Sequence, residues 1–165
     1  MYFINQSTLA DADLAKVTNV QSVNGGIASN TITLGANALA AGIVTIGGTA
    51  AASEATTGNI ITVGAAYTGN LTVNMEVGKL NIDASLMTSG SLTAVAGAKS
   101  ITAADTIKGG AGTSDVLKLT ADNDGTGATT TLMTGVETIQ VVAGATATDD
   151  IVITTVDGNV GAGKS

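Results

Sequence analysis

Short stretches that alternate a large apolar residue with Thr or another polar residue recur along almost the whole chain. They read TITL (31–34), IVTI (43–46), IITV (60–63), LTV (71–73), KLNI (79–82), SLTAV (91–95) and SIT (100–102). VLKLT (116–120), VETIQVV (136–142) and DIVITTV (150–156) follow. A period of two is the mark of a half-buried β-strand, and Thr, Val and Ile suit a pleated surface. The apolar residues Leu71, Leu80, Leu92 and Ile101 step by 9, 12 and 9, which leaves no room for helices between them. The pattern predicts an all-β fold of parallel β-solenoid or β-roll character, with a β-sandwich as the alternative. Asn24-Gly25, Asp124-Gly125 and Asp157-Gly158 are turn signals that favour local hairpins. Helix is expected in two small places only: over 8–16, capped by Ser7, and over 128–134.

Composition supports this and sets the thickness of the core. The 165 residues include 27 Ala, 27 Thr and 22 Gly, with no Cys, Pro, His or Trp and only Tyr2, Phe3 and Tyr67 as aromatics. At 44% hydrophobic and a mean hydropathy of +0.40 the chain has enough Val, Ile and Leu to fold. A core built without aromatics is thin, which suits two closely spaced β layers or a solenoid coil where small and β-branched residues stack in rows.

Residues 17–34 fall on 136–153 when the chain is shifted by 119, with Val17, Gln21, Val23, Gly25, Ala28 and Ile32 meeting identical residues. This echo divides the chain into an N-terminal segment, 1–30, suited to supply an inter-subunit or inter-repeat strand; a β-rich repeat domain, 31–142; and a C-terminal strand segment, 143–165, echoing 24–46. A chain that ends as it begins can present equivalent surfaces at its two ends or belong to a longer array, and end-to-end contact of that kind gives open filaments or lattices unless the rotation closes.

Charge excludes several functions. A net charge of -7 with six Lys and no Arg leaves no basic patch for nucleic acid or an anionic membrane surface. MYFINQSTLADADLAK has neither the basic nor the apolar region of a signal peptide, and no apolar run of about 18 residues exists to span a bilayer. Without His or Cys there is no Ser–His or Cys–His nucleophile and no zinc site of the usual ligands. Glu54, Glu76 and Glu137 are isolated, so no carboxylate pair suggests a glycosidase. GNVGAGKS (158–165) matches the phosphate-loop pattern GxxxxGK[ST] letter for letter. Phosphate binding, however, requires a following helix whose N-terminal amides hold the anion, and a sheet and a magnesium-binding Asp beside it. It reads as coincidence in a Gly- and Ala-rich chain, and no enzyme is expected.

DTIKGGAGTSDVLKL (105–119) carries the candidate chemistry. Its GGAG core and flanking Asp residues resemble the GGxGxDxUx nonapeptide of RTX-type calcium-binding proteins, with Ser114 at the family's Asp position and Asp115 one place on. The wider pattern, GGAGT, a strand and then GVETIQVV, resembles repeat segments of bacterial S-layer and RTX-like surface proteins over 100–142, and more loosely over 14–34. The resemblance implies a β-rich extracellular or cell-surface protein, supported by calcium and often exported without a cleaved signal. Its candidate calcium ligands are Asp105, Gly109, Gly110, Gly112 and Asp115, joined by Asp122 and Asp124 of the oxygen-rich loop 122–125. The expected function is a structural protein that self-assembles through strand edges or donated strands, with copies of itself and cell-surface polysaccharide as partners. The alternatives are an adhesin or fibre binding module of a secreted RTX-like or phage protein, and the non-catalytic stalk of a larger enzyme.

Overall fold

The computed structural model describes residues 8–25, 29–48, 58–75, 80–97, 101–102, 104–120, 128–129, 132–142 and 153–154. The strands are β1 (Thr8–Leu9), β2 (Ser22–Gly25), β3 (Thr31–Leu34), β4 (Thr45–Gly48), β5 (Asn59–Val63), β6 (Leu71–Met75) and β7 (Leu80–Asp83). Then come β8 (Leu92–Gly97), β9 (Thr106–Lys108), β10 (Val116–Thr120), β11 (Ala128–Thr129), β12 (Leu132–Thr134), β13 (Thr138–Val142) and β14 (Ile153–Thr154). Successive strands alternate between two six-stranded sheets. Sheet I has the order β1-β3-β5-β7-β9-β12 and sheet II the order β13-β10-β8-β6-β4-β2, while β11 and β14 form a small third pair. Every pairing is parallel. The chain is therefore a parallel β-solenoid, each coil giving one strand to each sheet.

The register makes the repeat visible. Along sheet I the inward row is Leu9, Ile32, Ile61, Ile82, Ile107 and Met133, at steps of 23, 29, 21, 25 and 26 residues. Along sheet II it is Val23, Ile46, Val73, Ala94, Leu117 and Ile139, at steps of 23, 27, 21, 23 and 22. Apart from Ile139 these residues are buried, and the rows face each other across a thin aliphatic core. The row sets Ile139 in the place of Val23, 116 residues earlier. The echo at 119 is thus three residues out of step with the sheet, and the structural period is one coil of 21–29 residues.

Three local expectations are corrected. Asn24-Gly25 does not turn the chain back: both residues lie in β2, paired in parallel with Gly47 and Gly48. The glycines answer to close approach instead. A Cβ on Gly47 would meet Asn24 Oδ1, and one on Gly25 would meet the Asn30 amide. Asp124-Gly125 and Asp157-Gly158 lie outside the described residues. Over 128–134 the structure has β11 and β12 in place of a helix, because Met133 joins the inward row next to Ile107 and is buried. Over 8–16 the chain forms β1 and then a 3-10 turn, Asp11–Leu14, which seals Leu14 into the core; Ser7 lies outside the described residues.

One helix, α1 (Ala36–Ala41), was not expected. Its Ala-rich sequence favours helix, yet no local Ser, Thr or Asp caps it. The cap comes from the preceding coil: the Asp11 carboxylate accepts N–H bonds from Gly35 at 2.7 Å, Ala38 at 2.8 Å and Asn37 at 3.2 Å. These are the donors a helix start leaves unpaired. Gly42 ends the helix at φ 89°, in the left-handed region open to glycine, and donates its N–H to Leu39 O.

Candidate functional site

Asp105 and Asp115, the two described acidic residues of the calcium-like segment, stand just before β9 and β10, at the starts of strands in different sheets. Both are 1% exposed. By register each occupies an inward position that a leucine fills one coil earlier: Leu80 below Asp105, and Leu92 below Asp115. Each carboxylate turns back to that leucine. Asp105 Oδ1 accepts the Leu80 N–H at 2.6 Å, and Oδ2 accepts the Thr102 N–H at 2.7 Å and its hydroxyl at 3.1 Å. Asp115 Oδ1 accepts the Leu92 N–H at 2.6 Å, and Oδ2 accepts the Gly110 N–H at 2.8 Å. Burial of a carboxylate is tolerable only with such donors around it.

The same device recurs with amides. Asn59 Oδ1 accepts the Asn30 N–H at 3.2 Å and its side-chain N–H at 2.9 Å, and Asn70 Oδ1 accepts the Ser91 N–H at 3.1 Å. Polar side chains at strand starts thus staple one coil to the next. Glu137 extends the series, its Oε2 accepting the Asp115 N–H at 3.0 Å.

The glycines of the segment fit between stacked coils. Gly109 donates its N–H to Thr134 O, and a Cβ there would overlap the Gly135 carbonyl oxygen and press on Asp115 Oδ2. Gly110 lies against Met87, and Gly112 under the Gly90 carbonyl. These two are packing positions, as Gly109 is. Asp122 and Asp124 lie outside the described residues. Among the described residues no group of three or more Asp and Glu side chains converges.

Two surface features remain. On the outer face of sheet I a shallow groove of about 270 Å³ is lined by Ile60, Thr62, Asn81, Asp83, Thr106 and Lys108. Within it Lys108 Nζ lies 2.8 Å from Asp83 Oδ2, the two being register neighbours on β9 and β7. The second feature is β13, which closes the order of sheet II. Its Ile139 and Val141 continue the inward rows of Leu117 and Leu119, which are fully buried, yet they are 37% and 42% exposed. Periodicity made 136–142 a strand but carried no signal that it lies at a sheet edge.

Among the described residues no helix is long and apolar enough to cross a membrane. Comparison of the chain with protein-family models, with characterised proteins and with solved structures gave no match.

Proposed function

We propose that this chain is a non-catalytic structural protein of the cell exterior that self-assembles into a surface layer or filament, in the manner of the S-layer and RTX-like repeats it resembles over 100–142. The observation that carries the reading is the pair Ile139 and Val141, more than a third exposed on an edge strand although their register partners are fully buried. An edge strand offers backbone donors and acceptors for pairing, and exposed apolar residues gain by being covered. An acidic surface without Arg suits a calcium-rich exterior, where calcium screens repulsion between copies.

Electron microscopy and sedimentation of the protein with millimolar calcium and with chelator test the reading. Polymers are expected, longer or more numerous with calcium. A monomer at every concentration under both conditions overturns it.

The second reading is an adhesin or fibre module that holds cell-surface polysaccharide. The groove on sheet I favours it, since its hydroxyls, amide and ion pair match the hydrogen-bonding groups of a sugar. Glycan-array binding that is lost on Asn81→Ala separates this reading from the first.

A further inference from the structure

Among the described residues, sheet II ends in β13 on one side and β2 on the other. Natural sheets guard edges with charges, Pro or bulges. β13, TIQVV, has none of these and runs in unbroken register along β10. β2, SVNG, is also uncharged. Both point the same way, as a parallel sheet requires.

Their faces correspond residue by residue. In β13 Ile139 and Val141 belong to the inward rows, and Thr138 and Gln140 to the outward ones. In β2 Val23 and Gly25 are inward and buried, while Asn24 is exposed. Set one strand spacing beyond β13, about 4.8 Å away, β2 of a second copy continues the sheet with Thr138 beside Ser22, Ile139 beside Val23, Gln140 beside Asn24 and Val141 beside Gly25. This register extends the aliphatic row, and it sets the Thr138 hydroxyl beside that of Ser22, although Val116 separates Thr138 from the outward row Ser22, Thr45, Thr72 and Thr93. It sets two side-chain amides next to each other, an arrangement that forms ladders in stacked strands, and places the bulk of Val141 over a glycine.

We infer that copies of this chain join head to tail, β13 of one pairing in parallel with β2 of the next, with Ile139 in register with Val23. The inference rests on the self-assembly reading above and adds the edges and their register. Such a contact is heterologous, and copies stacked along the solenoid axis leave a β13 edge open for the next, so a filament is expected unless the rotation closes a ring. An isologous contact between two β13 edges is antiparallel and reverses the run of both sheets.

The chain has no cysteine, so a designed pair is unambiguous. The test is Asn24→Cys with Gln140→Cys in one chain, assembled, mildly oxidised and run on a non-reducing gel. Residues 24 and 140 of one chain sit on opposite edges of six strands, too far apart for an internal disulfide. A ladder of dimers, trimers and longer species that collapses on reduction is expected, with each single variant remaining monomeric on the gel. Circular dichroism confirms that the variants keep their strand signal. Dimers from Gln140→Cys alone indicate β13–β13 contact and overturn the inference. A double variant that sediments as a polymer but does not cross-link overturns the pairing while self-assembly stands. A wild-type chain that never sediments above monomer overturns both.

Discussion

The Asp115 carboxylate reaches back one coil and accepts the Leu92 N–H at 2.6 Å, while its second oxygen takes the Gly110 N–H. The segment that resembles a metal turn thereby ties two coils together through backbone N–H bonds to one carboxyl group. Replacing Asp115 by Ala strands two donors, each worth about 1–3 kcal/mol when buried without a partner. Asp115→Ala is expected to lower the urea midpoint strongly, and Asp115→Asn, which keeps one acceptor oxygen, to lower it less. Equal midpoints for Asp115→Ala and wild type would show that the staple contributes nothing.

Tyr67 is the one aromatic among the described residues, and it is fully buried. Its hydroxyl donates toward Ile43 O at 2.6 Å and Asn70 O at 3.2 Å, tying the corner before β6 to that before β4. Tyr67→Phe leaves the Ile43 carbonyl unpaired in the core and is expected to cost about 1–3 kcal/mol.

Burial also pushes the Tyr67 phenol above its ordinary 10.0. The unfolded chain then releases its proton at a lower pH than the folded one, so Tyr67 lowers stability as pH rises above 10.0. Denaturation curves on either side of that pH should show wild type losing more stability than Tyr67→Phe. The same loss in both excludes the effect.

Asp83 and Lys108 form an ion pair at 2.8 Å, with each side chain 41% exposed. The hydrogen bond from Lys108, followed by that from Ser85, holds the Asp83 carboxyl below its ordinary 3.8. With the folded value depressed, the contribution is complete above pH 3.8 and disappears as pH falls through the lower folded value. Solvent screens the pair, so Lys108→Met should cost less than about 1 kcal/mol at neutral pH. The difference between the two proteins should vanish in strong acid and shrink in high salt. A deficit that persists in both would assign it to lost packing of the lysine stem.

Strand identity and the solenoid were legible because alternation survives in a single sequence. IITV, LTV and VLKLT each lie within a strand, or one residue short of it, with inward residues at the expected phase. The coil period was hidden by corners of unequal length, which vary the step from 21 to 29 residues. A fixed-shift comparison therefore found 119 where the rows give 116. Long-range caps were equally invisible. α1 takes its N-terminal partner from Asp11, a residue 24 positions before Gly35, so no local pattern announces the helix. Asp105 and Asp115 were found for their chemistry, but their donors, Leu80 and Leu92, lie 25 and 23 residues away.

Leu117 and Ile139 are neighbours in one row, and the row predicts opposite outcomes for them. Leu117 is fully enclosed, so Leu117→Ala removes buried methyl groups and should cost about 2–5 kcal/mol. Ile139 is 37% exposed on the edge strand, so Ile139→Lys should change monomer stability by only about 0.5 kcal/mol. A lysine on an edge is nonetheless an effective block to strand pairing. Chemical denaturation and sedimentation velocity read the two effects separately. Ile139→Lys is expected to unfold like wild type and to remain monomeric where wild type polymerises. Leu117→Ala is expected to unfold early and, at temperatures where it is still folded, to polymerise. If Ile139→Lys polymerises as wild type does, the β13 edge is not the assembly surface.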